Sequence, residues 1–423
     1  MEKLQKDVLQ AGELMLIYNV RKESTDLWIV GKQHFALFSL PLTEKQIQQQ
    51  VTAFRDTGIE SMINEIGTAK NRKLKGIRLK THLENAVSDS LADFVETSHT
   101  FYQQLLPDAA RELIVKVKPD TLYIIPTAAL YSLPFEALVT VPDEEEPHYL
   151  IQDYAIAYLS SASLLETLRE AQQRRDTEER QPLLAFANPV FPQENCEPDD
   201  NMVISLRTLA YRDLLGSGAC IPQLPATSDE ALNIAKLFDV TPYSYPQVLY
   251  LGKEASRENV LELNENEELD DFRYVLFATH AVLPDELSYI NQPAVLLSYP
   301  ENGGYLTMAE VFGLQMNADL VTLSACNTGR GKNIKGEGVR GLSRAFMYAG
   351  TPAVSVSLWT VNSQATQQLN QTFFTQLKKK RHLAEALRQA KMAMIEGDVE
   401  EDFKDIYFHP YFWGGFVVFG DGT

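Results

Sequence analysis

Short apolar runs rich in branched and aromatic side chains constrain the fold of this chain more than any other feature. Each run is mostly apolar, which is typical of strands buried on both faces of a sheet. Polar segments with helical spacing lie between them, so the sequence predicts an α/β fold with a mostly parallel central sheet flanked by helices. The runs are TLYIIPT (121–127), LLAFANPV (183–190), RYVLFAT (273–279), DLVTLSA (319–325), AVSVSLW (353–359) and GFVVFG (415–420).

A charged and amide-rich stretch, REAQQRRDTEERQP at 169–182, divides the chain into two parts. Its composition favours an exposed connection over a packed element. We therefore predict an N-terminal half at 1–170, a linker at 171–182 and a C-terminal half at 183–423.

Two local patterns give more detailed predictions. In the N-terminal half, the runs LMLIYNV and DLWIVGKQHFALFSL flank polar turn residues at 21–25, which predicts an antiparallel hairpin. In the C-terminal half, Ser228 precedes acids and an apolar stripe, which predicts a helix over 228–238 with Ser228 as its N-cap.

The balance of charge limits the partners of the chain. It has 38 Lys and Arg against 57 Asp and Glu, a formal net charge of −19. This charge disfavours direct binding to nucleic-acid phosphates or anionic membranes and favours protein partners. The N-terminal residues lack the pattern of a secretion signal, and the apolar runs are shorter than the ~18 residues of a membrane span.

The cysteines predict the compartment and argue against a metal site. Cys196, Cys220 and Cys326 form no pair with the spacing of a disulfide framework or a zinc site. An odd count of unpaired thiols fits the reducing cytoplasm. We expect a cytoplasmic protein that uses neither a metal nor another cofactor.

Two reactive side chains follow directly on predicted strands. His280 comes after RYVLFAT and Cys326 comes after DLVTLSA, 46 residues later. Because the carboxyl ends of parallel strands meet at one edge of a sheet, we expect the imidazole and the thiol to lie side by side. A thiolate attacks a peptide carbonyl, and a nearby imidazole takes the thiol proton and returns it to the leaving amine. The backbone N–H groups of Ala281 and Cys326 are predicted to form the oxyanion hole.

Taken singly, both residues have ordinary structural explanations. A cysteine after an apolar strand is most often a small buried side chain, and a histidine at a strand end is most often structural. The chemical interpretation therefore depends on a wider pattern.

Several separated motifs supply that pattern in a fixed order. Together they resemble the CHAT family, caspase-like cysteine peptidases related to separase and more distantly to caspases. The resemblance implies a caspase-like fold in which a degenerate N-terminal half supports an active C-terminal half. It also implies that His280 is the general base and acid and that Cys326 is the nucleophile. The motifs are LYIIPTAALYSLPFEALV, LPATSDEALNIAKLF, LFATHAV, LVTLSACNTGRG, GEGVRGLSRAFMYAGTPAVSVSLWTV and HPYFWGGFVVFG.

The resemblance also carries expectations about biology. Members of the family often have an upstream helical-repeat or sensor domain, so the resemblance implies a regulated protease of bacterial signalling or defence. A regulatory protein or domain of the helical-repeat type is the expected partner, beside the protein substrate. No repeat of a solenoid period is found in this sequence.

The sequence departs from the family pattern at three places near the predicted site. Ala281 stands where relatives often have glycine, and Asn362, Ser363 and Gln364 stand where relatives often have acids. Ser324 occupies the position at which metacaspases carry an acid that holds a basic substrate side chain. These positions therefore do not predict cleavage after Arg or Lys, and the substrate-binding pocket is left unassigned.

We predict a cysteine endopeptidase that cleaves a partner protein through an acyl-enzyme on Cys326. Two alternatives stay open: a catalytically silent caspase-like scaffold that binds a partner protein, and a thiol hydrolase or transferase acting on a small molecule. The exposed basic segment at Arg174 and Arg175 is in addition a candidate site of self-cleavage.

Overall fold

The structure is a computed structural model that describes residues 2–143, 146–173, 180–191, 223–241, 247–282, 292–298, 304–324, 337–359, 362–399 and 404–423. The chain packs as two compact units. The first unit comprises Met1–Thr167 and Arg381–Thr423, and the second comprises Leu168–Lys380. Both contain a sheet and helices, which confirms the predicted α/β class.

The described elements follow the alternation expected from the sequence. The strands are β1 (Glu13–Val20), β2 (Thr25–Gly31), β3 (Phe35–Leu40), β4 (Thr121–Ile125), β5 (Val139–Val141), β6 (His148–Tyr149), β7 (Ala155–Tyr158), β8 (Gln181–Ala187), β9 (Leu249–Leu251), β10 (Phe272–Ala278), β11 (Ala281–Val282), β12 (Ala294–Leu296), β13 (Tyr305–Thr307), β14 (Leu320–Leu323), β15 (Ala353–Ser357) and β16 (Phe416–Gly420). The helices are α1 (Glu44–Arg55), α2 (Ser61–Asn71), α3 (Gly76–Leu105), α4 (Asp108–Val117), α5 (Leu150–Asp153), α6 (Ala162–Gln173), α7 (Pro225–Leu237), α8 (Arg257–Glu265), α9 (Met308–Val311), α10 (Glu337–Tyr348), α11 (Ser363–Lys378), α12 (Leu383–Ile395), α13 (Lys404–Tyr407) and α14 (Pro410–Trp413).

The sheet of the first unit has the strand order β3-β2-β1-β4-β7-β16. The predicted hairpin is confirmed, because β1 and β2 pair antiparallel with Val20 opposite Thr25. The second half of the predicted hairpin is itself two strands, since a turn between Gly31 and His34 leads β2 back into β3. The strands β4, β7 and β16 then add in parallel.

The sheet of the second unit is parallel throughout, with the order β15-β14-β10-β8-β9. Every residue of β14 and β15 is buried, as the continuous apolar runs predict. Because these strands run in the same direction, their carboxyl ends lie at one edge. This edge positions the candidate active site.

A small antiparallel sheet follows β10 in the second unit. Its order is β11-β12-β13, and its apolar face packs Val282, Ala294 and Leu296 against Phe191. It therefore covers the chain where it leaves β10. Ala281, whose N–H is predicted to form part of the oxyanion hole, lies within the first strand of this sheet.

The structure corrects one predicted helix start. Helix α7 begins at Pro225, and its N-cap, Leu224, makes no capping hydrogen bond through its side chain. The prediction that Ser228 is the N-cap is wrong. Proline at the first turn starts a helix because it needs no N–H partner there, so Pro225 begins the helix before Ser228 is reached.

The predicted linker is flanked by regular structure. Helix α6 extends to Gln173 and β8 begins at Gln181, so both ends of the 171–182 segment belong to packed elements. Arg174 and Arg175 lie outside the described residues. The division into a degenerate and a catalytic half stays a prediction, since the compact units follow packing and place 381–423 with the N-terminal residues.

None of the described helices combines the length and the apolar composition that a bilayer crossing requires.

Candidate active site

His280 lies at the carboxyl edge of the parallel sheet, two residues beyond the end of β10. Its side chain is fully buried, and its ring packs against Phe191 with the ring centroids 5.7 Å apart. Its backbone oxygen accepts a hydrogen bond from Leu296 N at 2.8 Å, and the preceding Thr279 hydroxyl donates to Leu296 O at 2.5 Å. Strand β12 therefore fixes the chain on both sides of the imidazole.

Ala281 pairs with Val295 in the antiparallel ladder of β11 and β12. The bond from Leu296 N to His280 O flanks this pair, which makes it the type of antiparallel pair without direct hydrogen bonds. In such a pair the N–H of Ala281 points away from β12. This donor is directed out of the small sheet at the residue that follows His280.

The neighbouring strand β14 ends at Leu323, and Ser324 is the last residue described before a gap. Cys326 lies outside the described residues. The structure therefore describes the position of His280 and the strand that leads towards Cys326.

A buried polar cluster surrounds Ser324. Its hydroxyl lies 3.1 Å from Glu230 Oε2, and the amide nitrogen of Asn370 donates to Glu230 Oε1 at 2.7 Å and to Ser324 Oγ at 3.3 Å. Glu230 comes from α7 and Asn370 from α11. The three side chains join the end of β14 to two helices.

Sequence reasoning did not single out Glu230 or Asn370. The signal was present, because each stands at helical spacing among apolar residues: Glu230 is four residues before Ile234, and Asn370 is three before Phe373. A polar residue on the buried stripe of an amphipathic helix requires a buried partner. The sequence alone does not identify that partner.

Other features of the second unit lie away from this edge. A cavity of about 600 Å³ lies at the amino ends of the strands, lined by Asp270 before β10, by 312–317 before β14, and by Tyr348 before β15. Within the described ranges, no group of three His, Cys, Asp or Glu side chains is arranged to hold a metal ion.

The fold of the chain is caspase-like. A crystal structure of the Saccharomyces cerevisiae separase–securin complex superposes with a TM-score of 0.52 and 12% sequence identity, covering 99% of this chain and 31% of the separase-complex chain. At that identity the likeness concerns the fold alone.

The family is shown by a match of the amino-acid sequence to a domain model. The model of the CHAT domain matches residues 95–421, and the chain therefore belongs to the CHAT domain family. The resemblance of the separated motifs is confirmed by this match.

Two curated relatives match a shorter segment. Tetratricopeptide repeat protein 28 of Homo sapiens is 32% identical over 115 residues, which cover 27% of this chain and 4% of the human protein. Its Mus musculus counterpart is 29% identical over 115 residues, with the same coverage. The chain thus matches only a small part of the length of these relatives.

Proposed function

We propose that the chain is a cysteine endopeptidase with His280 as general base and acid and Cys326 as nucleophile. The register of β10 and β14 carries this proposal. Each paired residue of β10 lies opposite the residue 46 positions later, as Tyr274 lies opposite Leu320. His280 and Cys326 are 46 positions apart. This shared spacing of 46 supports our proposal that the imidazole lies beside the thiol.

The chemistry of this dyad needs no cofactor. His280 takes the proton of the Cys326 thiol, and the thiolate adds to the carbonyl carbon of the scissile peptide bond. The tetrahedral intermediate collapses as His280 gives the proton to the leaving amine, which leaves an acyl-enzyme on Cys326. Water, deprotonated by His280, then adds to the thioester and releases the second product with the thiol restored.

Two backbone donors are proposed for the oxyanion hole, the N–H groups of Ala281 and Cys326. The direction of the Ala281 N–H, away from β12, supports its part in this proposal. A donor that is not used by the ladder is available to a carbonyl oxygen that becomes negatively charged.

The partners are proposed to be proteins. The net charge of −19 disfavours nucleic acid. The curated relatives are named for tetratricopeptide repeats, and the separase comparison is with a complex containing securin, so a helical-repeat or other protein regulator is the partner class that we propose. We place this regulated protease in the cytoplasm and, from the family resemblance, in bacterial signalling or defence.

The N-terminal half at 1–170 is proposed to be the degenerate, supporting part, and 183–423 the catalytic part. The strand β4 supports this, because it is followed by Pro126 and Thr127, with neither histidine nor cysteine at its carboxyl end. The only residues proposed for catalysis then lie after β10 and β14.

The test is to map new protein N-termini in a cell lysate treated with the wild-type chain or with Cys326→Ala. New termini that appear with the wild type, and not with Cys326→Ala or His280→Ala, are the expected result. Cys220→Ala is the matched control, since it also removes a thiol and is expected to retain cleavage.

The negative results separate the alternatives. If no new terminus appears even after candidate helical-repeat proteins are added, the silent scaffold replaces the peptidase. If small thioesters or esters are hydrolysed through Cys326 while no protein is cleaved, the chain is a small-molecule thiol hydrolase.

A further inference from the structure

A cluster of three buried polar side chains lies at the end of β14, in the second unit. Glu230, Ser324 and Asn370 are 2%, 1% and 0% exposed. They come from three different elements and converge between the sheet and the helices α7 and α11. Their polar atoms meet within hydrogen-bonding distance.

Such a cluster is a poor choice if packing alone is required. A carboxylate removed from water needs hydrogen bonds within the protein to replace those it made to water, whereas an apolar side chain of similar size needs none. What hydrogen bonds add is direction, because the donor and acceptor atoms must meet at fixed distances and angles. The cluster therefore restricts geometry at Ser324 more closely than apolar packing would.

The restriction falls where the chain leaves the sheet. The Ser324 hydroxyl lies 3.1 Å from a carboxylate oxygen of Glu230, and the Asn370 amide links both residues. Ser324 is one residue beyond β14 and two residues before Cys326. Any rotation of the backbone at Ser324 changes the direction of the chain that continues to the proposed nucleophile.

We propose that Glu230 is a positioning residue for Cys326: together with Asn370 it holds Ser324, and so sets the direction in which the chain leaves β14. This inference rests on the proposed function, since it assigns Cys326 the role of nucleophile. Glu230 acts through Ser324 and has no contact with substrate.

A matched pair of variants on one strand tests the hydrogen bonds. Ser324→Ala removes a hydroxyl that belongs to the cluster. Thr322→Val removes a hydroxyl two residues earlier on β14, which is equally buried and has no hydrogen-bond partner among the residues that the structure describes. Both changes delete one buried oxygen, so a difference between them reports the cluster rather than the loss of a hydroxyl.

Two variants of the carboxylate test the acceptor. Glu230→Gln keeps an oxygen that accepts from Asn370 and offers an N–H to the Ser324 oxygen, whereas Glu230→Leu keeps the volume and loses both bonds. The glutamine variant is expected to behave as the conservative rescue. If Glu230→Leu does not fold, the comparison of Ser324→Ala with Thr322→Val still tests whether the cluster positions Cys326.

The main readout is the rate at which iodoacetamide alkylates Cys326 at different pH values, followed by mass spectrometry of the peptide that contains it. In the wild type we expect a midpoint below the ordinary thiol pKa of about 8.5, because His280 assists ionisation. In Ser324→Ala and Glu230→Leu the midpoint is expected to move towards about 8.5, and kcat for protein cleavage to fall about 10- to 100-fold with KM within about 3-fold. Thr322→Val and Glu230→Gln should remain within about 3-fold of the wild type in both readouts.

An unchanged alkylation profile and kcat in Ser324→Ala overturn the positioning role. Equal losses in Ser324→Ala and Thr322→Val overturn it as well, because they indicate a general loss of packing. Failure of the proposed function gives a different result: the alkylation profile of Cys326 is then the same in the wild type and in His280→Ala, and no protein is cleaved. In that case amide hydrogen exchange in the peptide that follows Ser324 tests whether the cluster holds the end of β14. Faster exchange in Glu230→Leu than in Thr322→Val would show that it does.

Discussion

The Lys391 ammonium nitrogen lies 3.2 Å from Oε1 of Glu136, and both side chains are withdrawn from solvent in the first unit. Burial lowers the pKa of Lys391, and the neighbouring carboxylate opposes that shift. Glu136 also accepts a hydrogen bond from the Tyr158 hydroxyl, and burial together with this carboxylate raises the pKa of Tyr158. The pair joins α12 in the C-terminal segment to the short 3-10 helix Phe135–Ala137, which precedes β5.

Removal of one member of this pair is expected to lower the free energy of unfolding more than removal of both charges. Lys391→Met leaves the Glu136 carboxylate buried without its cation, so we expect a loss of about 3–5 kcal/mol in the free energy of unfolding. The double variant Lys391→Met with Glu136→Gln removes both charges and should recover part of that loss. Urea titration followed by fluorescence measures both, because the buried Trp413 ring lies 6.0 Å from the ammonium group. Lys379→Met, at an exposed lysine, is the control, and a strictly additive double variant contradicts the expectation.

His409 should make the stability of the first unit depend on pH. Burial lowers the pKa of His409 to about 3, from an ordinary value near 6.5. Between these values the unfolded state binds a proton that the native state does not, so stability is lost as pH falls from about 6.5, by up to about 1.4 kcal/mol per pH unit.

The measurement is urea unfolding at pH 7 and pH 5 for the wild type and His409→Asn. Asparagine can still accept from the backbone N–H of Tyr411, as the His409 ring does at 3.2 Å, and it does not titrate. The variant should therefore lose less stability on acidification than the wild type. An identical pH dependence of both proteins would show that His409 protonates in the native state.

Gly350 is expected to tolerate no side chain. Its φ is +122°, and a Cβ there would lie 2.1 Å from the carbonyl oxygen of Met316. Gly350→Ala should therefore cost at least about 2 kcal/mol, measured by thermal unfolding, because backbone atoms must move. Gly397→Ala is the matched control: it also has a positive φ, +69°, and its Cβ would enter open space. It should cost only about 1–2 kcal/mol, and equal costs at both sites would contradict the close approach.

The Ala281 N–H can be removed separately from the ladder that surrounds it. Ala281→Pro deletes a donor that points away from β12, so the small sheet is expected to persist while kcat falls about 10²–10³-fold through the loss of one oxyanion donor. Val282→Pro removes an N–H on the other side of the strand, which faces Ala294, and should disrupt β11 itself. Circular dichroism and peptide-cleavage rates distinguish the two. Full activity in Ala281→Pro removes Ala281 from the proposed oxyanion hole.

The central strands were predictable because their signal is local. A continuous run such as RYVLFAT indicates burial on both faces, and β10 occupies that position in the parallel sheet. The hairpin of β1 and β2 was predictable for the same reason, since its turn and both strands are adjacent in sequence.

The features that sequence reasoning missed depend on contacts between distant segments. The run GFVVFG indicates a strand, and nothing in it indicates that Phe419 pairs with Tyr158 in the first unit. Glu230 and Asn370 each stand on an apolar stripe, and only the packing of α7 and α11 brings them to Ser324. The predicted helix start at Ser228 was wrong, because Pro225 begins the helix three residues earlier.

The alignment of β10 with β14 is set by hydrogen bonds between the strands and not by the length of chain that joins them. A change in the length of that connection therefore leaves Phe277 opposite Leu323. The relative position of the two strands, on which the proposed dyad depends, is thus set by the sheet itself.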